Sequence, residues 1–143
     1  MPRRFVLDAG VLSLLAAGSP RLRPLLREVQ AGKAEGLVCD LSLAEHQYKA
    51  CQTDGMRQAH SQGLAIRTSS LRVIRCSPYL DLAWRFKCRH RGRFSFADCV
   101  VLAVAQVQSA RILTTNSAFE NVKEPRVHAT ILPVEGDEGS RNG

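Results

Sequence analysis

Phe94-Ser95-Phe96-Ala97-Asp98-Cys99-Val100-Val101-Leu102-Ala103-Val104-Ala105 is the stretch whose reading decides the fold. From Phe96 through Val107 it is almost wholly apolar. Its valines favour a strand by propensity, but a run of this length fits a buried helix better. With a helix here, strand and helix alternate through the rest of the chain. Upstream, Arg72-Val73-Ile74-Arg75 reads as a strand, and Pro78 opens a helix carrying Leu80, Leu82, Ala83 and Phe86. Gly36-Leu37-Val38-Cys39 is an earlier strand. A helical segment runs from about Leu43 to His60 after it, with a break or kink expected at Gly55. Phe5-Val6-Leu7 is the first strand, followed by a helix over Gly10 to Ala17 that Gly18-Ser19-Pro20 stops. Leu22, Leu25, Leu26 and Val29 then recur at helical spacing. Downstream, Arg111 to Thr114 and Thr130 to Val134 are the last two strands. Repeated βα order without hairpin signals predicts five parallel strands with helices on both faces, an α/β/α arrangement.

At 143 residues the chain has room for one domain with a real core. The domain is expected to span 1–134. The tail from Glu135 has nothing to bury and is expected to be disordered. No stretch approaches the eighteen or so apolar residues that span a bilayer, so no membrane partner is expected. The basic start, Met1-Pro2-Arg3-Arg4, is followed by an apolar run that Asp8 cuts short, which argues against a signal peptide and for the cytoplasm. The formal net charge of +7 points to a polyanionic partner. The five cysteines form no C-x-x-C, which argues against zinc and for free thiols. Cys39, Cys76 and Cys99 lie in apolar runs, whereas Cys51 and Cys88 are candidates to face solvent.

Three acids hold equivalent places in the alternation. Asp8 ends the first strand, Glu45 is expected in the first helical turn after the second, and Asp98 opens the apolar helix. Asn116 follows the fourth strand. Parallel strands end on one edge, and ligands bind in the crevice there, so four distant positions can share one pocket. Capping explains each acid singly: Ser42-Leu43-Ala44-Glu45 and Ser95-Phe96-Ala97-Asp98 both read as capping boxes, and Asp8 as an N-cap. It does not explain why all three sit beside strongly apolar residues. Carboxylates crowded there repel unless a cation neutralises them, and hard oxygen ligands suit Mg²⁺ or Mn²⁺. Asp40, near the end of the second strand, is read as a turn or cap residue. His46 follows Glu45 and on a helix points about 100° away, as a surface or packing residue.

Phe5-Val6-Leu7-Asp8-Ala9-Gly10-Val11-Leu12, Leu41 to Glu45, Phe94 to Ala105 and Ile112-Leu113-Thr114-Thr115-Asn116-Ser117-Ala118-Phe119 resemble, in order and spacing, the successive motifs of PIN domains. The resemblance covers residues 3 to about 134. It implies a Rossmann-like parallel sheet with a Mg²⁺- or Mn²⁺-dependent ribonuclease site at its carboxyl edge. Asp8 and Asp98 would hold the metal, and Glu45 would be a further ligand or orient a metal-bound water. The small single-domain relatives are VapC-type toxins, which implies an antitoxin partner; a homodimer or higher homo-oligomer is expected. Two positions depart from the family. Gly10 stands where a Ser, Thr or Asn is usual, and Asn116 stands at the fourth acidic position, which removes one charge. Compensation for that charge is the alternative reading of Asp40. These departures favour the alternative of a PIN-like module that binds RNA or assembles with proteins without catalysis.

The densest basic run is Trp84-Arg85-Phe86-Lys87-Cys88-Arg89-His90-Arg91-Gly92-Arg93. Arg85, Lys87, Arg89, Arg91 and Arg93 are the candidates to bind RNA phosphates, with Trp84 or Phe86 either stacking on bases or lying in the core. Arg21, Arg23 and Arg27 form a second basic face. Other acid-site folds fit less well. A haloacid-dehalogenase-type phosphatase wants an acid where Gly10 stands, and a response-regulator receiver wants a Lys after a late strand, where Thr114-Thr115-Asn116 has none.

Overall fold

The computed structural model describes residues 2–134. Five strands, β1 (Arg3–Leu7), β2 (Ala34–Cys39), β3 (Arg72–Ile74), β4 (Arg111–Thr114) and β5 (Ala129–Ile131), form one sheet in the order β3-β2-β1-β4-β5. All four pairings are parallel. Six helices fill the connections: α1 (Ala9–Ala16), α2 (Arg23–Gln30), α3 (Asp40–Asp54), α4 (Met56–Arg67), α5 (Leu80–Arg89) and α6 (Phe96–Gln108). The expected tail at 135–143 lies outside the described residues.

Side chains alternate across the sheet, and the alternation sorts the core into two layers. Val6, Leu37, Cys39 and Ile112 face α5 and α6, against Ala83, Phe86 and the buried run Cys99 to Ala105. Leu7, Val38 and Leu113 face the other way, against Val11 and Leu12 of α1, Leu43 of α3 and Ile66 of α4. Every residue from Cys99 to Ala105 is at most 2% exposed. A helix covered on both sides needs no polar face, which is why its sequence lacks a clear amphipathic period.

Several boundaries differ from expectation. α3 starts at Asp40, because Cys39 is already extended and serves as the N-cap residue. Glu45 therefore lies in the second turn, and the expected capping box around it does not form. Gly55 breaks the helical segment as expected, with φ +89°, but the second part continues to Arg67, past the expected end at His60. β5 covers Ala129–Ile131, shorter than the expected Thr130 to Val134. All five cysteines are free. Cys39 and Cys99 are buried and Cys88 is exposed, whereas Cys76 is only partly buried and Cys51 is too.

Strand order places the site. From β1 the chain moves outward through β2 to β3, then crosses back to lay β4 on β1's other side. The connections leaving β1 and β4 thus diverge, opening a crevice beyond their carboxyl ends. Asp8 follows β1 directly, and Thr115 and Asn116 follow β4 directly.

Candidate active site

Asp8 is held at the mouth of this crevice by three connections. Its Oδ1 accepts a hydrogen bond from the Val11 backbone N–H at 3.0 Å, which caps α1. Its Oδ2 accepts from the Thr114 hydroxyl, and that hydroxyl oxygen in turn accepts from the Asn116 N–H at 2.9 Å. Its own N–H donates to Leu113 O at 3.2 Å across the β1–β4 pairing. Asp8 is 7% exposed and sits where the connections leaving β1 and β4 part.

Asp98 reaches the same place from α6. It forms the expected capping box, accepting from the Ser95 N–H at 3.0 Å while its own N–H donates to Ser95 Oγ at 3.1 Å. The same carboxylate oxygen also receives Asn116 Nδ2 at 3.4 Å. Asn116 keeps its amide oxygen for the Ala118 N–H, capping a short 3₁₀ turn at Ser117–Phe119. Its carboxamide thus turns its donor, not its oxygen, towards Asp98. The Glu45 carboxylate makes no hydrogen bond among the described residues, so capping, which accounts for Asp8 and Asp98, does not account for it.

Asp8, Glu45, Asp98 and Asn116 line one cavity of about 240 Å³, together with Lys49 and Thr115. Burial pushes the Asp8 carboxyl above its ordinary range; the hydrogen bonds from Thr114 and Val11 oppose this, Asp98 adds to it, and Lys49 opposes it. Burial also raises Glu45, with Lys49 opposing and Asp98 and Asp8 adding. The acids therefore sense one another's charge, as the clustering argument requires.

The donors fit a hard cation chemically, since carboxylate and hydroxyl oxygens surround a polar cavity. Their present spacing does not enclose one. Among the described residues, no three His, Cys, Asp or Glu side chains stand close enough together to hold a metal ion. Asp8 has both oxygens in internal hydrogen bonds, whereas among the described residues Asp98 commits Oδ2 alone and keeps Oδ1 for a ligand.

Asp40 lies outside the cavity. Its Oδ1 accepts from the Cys76 N–H at 2.9 Å and ties the start of α3 to the end of β3. His46 is only 2% exposed and turned away from the acids, with Nδ1 3.1 Å from Ser13 Oγ. Its Nε2 has no hydrogen-bond partner, nor does the neighbouring Gln62 Oε1. Burial lowers the His46 pKa; Gln62 pulls it back up and Lys49 lowers it further. Lys49, Thr114 and Thr115 are the site residues that the reading of the acids missed. Lys49 lies one helical turn beyond Glu45, Thr114 ends β4 and Thr115 follows it, but spacing alone does not mark them as cavity walls.

The basic run divides by role. Phe86 is buried, but Trp84 is 53% exposed and donates to Asp81 Oδ1, so it is not the core residue that a wholly packed run would contain. Arg85 pairs with Asp81 at 2.9 Å and Arg89 with Glu124 at 3.2 Å. Lys87 donates to Phe94 O and Arg93 to Ala118 O. Arg91 is exposed and alone among the five makes no such contact among the described residues.

A PIN domain family model matches residues 5–125. Several solved structures share the fold. VapC20 of Mycobacterium tuberculosis, described as a sarcin-ricin-loop-cleaving toxin, is 21% identical with a TM-score of 0.59, over 76% of this chain and 86% of that one. VapBC2 from Rickettsia felis, bound to a promoter DNA fragment, is 19% identical with a TM-score of 0.67, over 90% and 98%. DNA-bound VapBC from Salmonella typhimurium is 14% identical with a TM-score of 0.67, over 92% and 98%. No curated protein matches the sequence.

Proposed function

Since the chain belongs to the PIN domain family, a family of nucleases that generally use divalent metal ions, we propose that it is an endoribonuclease hydrolysing RNA phosphodiester bonds with Mg²⁺ or Mn²⁺. The observation that carries the reading is the convergence of Asp8, Glu45 and Asp98, from three separate strand-to-helix junctions, on one cavity at the β1–β4 crevice. Capping leaves Glu45 unexplained, whereas a cation site uses all three. Asp8 and Asp98 would hold the metal, with Glu45 as a further ligand or the orienter of the attacking water. The metal's contribution is to lower the pKa of water and to neutralise charge on the scissile phosphate. Asn116 would position Asp98 through its amide donor. Arg91 and its basic neighbours would guide RNA by its phosphates. By likeness to the toxin–antitoxin complexes, a small antitoxin would be the protein partner, and the chain would act as a homodimer or higher oligomer.

The test is cleavage of a mixed RNA pool across a Mn²⁺ titration, with Mn²⁺ binding measured in parallel. Asp98→Asn removes a ligand charge without changing size and should cut the rate at least ~10-fold, the scale on which metal sites respond to lost support. Full-rate cleavage by Asp98→Asn would place the activity elsewhere. If the wild type neither binds Mn²⁺ nor cleaves RNA, the cavity belongs to a non-catalytic binding module.

A further inference from the structure

Gly10 lies two residues beyond Asp8, in the first turn of α1, and it lines the acid cavity. A Cβ added there would come 2.0 Å from Thr115 Oγ1, 3.2 Å from its Cβ and 3.4 Å from its Cγ2. The first distance is impossible for real atoms, so a side chain at residue 10 and the Thr115 hydroxyl in its present position exclude each other. The hydroxyl of Thr115 therefore occupies the place that a side chain at residue 10 would need. That hydroxyl makes no hydrogen bond with the protein among the described residues, and it lines the same cavity as the acids.

The adjacent threonine behaves differently. Thr114 is fully buried, and its hydroxyl is used twice, donating to Asp8 and accepting from the Asn116 N–H. Thr115 is left with an uncommitted donor in a cavity whose carboxylates can only accept. An incoming phosphodiester brings oxygens that those carboxylates repel and that protein donors can hold alongside a cation. Lys49 and Thr115 line the same cavity as the acids and supply it with donors.

We propose that Thr115 binds a non-bridging oxygen of the substrate phosphate, and that residue 10 is glycine because the Thr115 hydroxyl fills its space. The assignment rests on the phosphodiesterase reading above. It makes the glycine part of the site, one half of an exchange in which the hydroxyl is supplied from β4's end instead of from α1.

The experiment compares wild type with Thr115→Val, Thr115→Ser, Gly10→Ser, Gly10→Ser/Thr115→Ala and Gly10→Ala/Thr115→Ala. Readouts are kcat and KM for a short RNA in Mn²⁺, RNA affinity by fluorescence anisotropy without added metal, and thermal midpoint. Thr115→Val keeps the shape and should lose about tenfold in kcat/KM, the order expected for one hydrogen bond to a charged oxygen. Thr115→Ser should remain near wild type. Gly10→Ser should fall as Thr115→Val does, because the new side chain displaces Thr115. Gly10→Ser/Thr115→Ala should recover most of the loss, with the hydroxyl now coming from residue 10. Gly10→Ala/Thr115→Ala relieves the same crowding without a hydroxyl and should stay low. Equal recovery in both double variants would show that only crowding mattered and would overturn the proposal. So would a Thr115→Val that binds and cuts RNA like wild type, which leaves the nuclease reading intact. A wild type that cuts nothing sinks the nuclease reading and the ligand assigned to Thr115 together.

Discussion

Glu45 is the acid that the protein holds least. Asp8 and Asp98 are fixed by hydrogen bonds that any helix start could use, whereas Glu45 has burial and two neighbouring carboxylates against it and mainly Lys49 for it. Its pKa in the folded chain is therefore raised above the ordinary 4.5. The unfolded chain loses this proton at lower pH than the folded one, so stability declines as pH rises from about 4.5 through the folded value, and stays lower above it. Glu45→Gln should accordingly be more resistant to urea than wild type at pH 7, with the advantage fading at pH 4. Saturating Mn²⁺ should narrow the gap at pH 7, because only the wild type has that charge to neutralise. Unfolding midpoints of the two proteins that stay parallel from pH 4 to pH 7 would show that the carboxylate is not under strain.

Among the elements, Gly55 is the residue on which a helical segment turns into two helices. It serves as the C-cap of α3 and the N-cap of α4, with φ +89°, a backbone conformation that side chains rarely adopt. A Cβ there would meet nothing within 4 Å, so Gly55→Ala isolates the backbone cost, about 1–3 kcal/mol on thermal or urea unfolding. An unchanged midpoint would mean that the break is not fixed by this residue. The sequence was most readable where local chemistry acts alone. The α6 run, the Ser95–Asp98 capping box and the Gly55 break all follow from near neighbours. It was least readable at α3's start, where the helix begins at Asp40 ahead of the Ser42 that seemed to cap it, and where Asp40 binds the Cys76 N–H, a partner distant in sequence. β5 is cut short for a related reason, since it ends at Ile131, where its pairing with Thr114 ends β4 as well. The acids could be gathered at one edge from strand order, but Lys49 and Thr115 become visible as cavity walls only once helices and strands are packed. The same packing showed that most of the basic run is engaged internally.

For the whole molecule, the net charge of +7 is an uneven guide to where RNA would lie, because four of the five candidate cations of the basic run already serve the protein. Arg91→Ala should therefore lower the dependence of RNA binding on salt by about 0.7 of a unit in log–log slope, the value for one single-strand phosphate contact, without altering the thermal midpoint. An unaltered slope would move the RNA path to another face. Strand order has its own bearing on when activity can exist. β1 lies at the centre of the sheet, but one of its two neighbours is β4, and Thr114, which steadies Asp8, lies 106 residues further along the chain. A domain generally folds as a unit during synthesis. A nascent or prematurely terminated chain that stops before residue 114 would carry both Asp8 and Glu45 but have no β4 to close the crevice. Any activity that needs Asp8 held against β4 would then arise only after Thr114 has been added to the chain, well after Asp8 and Glu45 have been made.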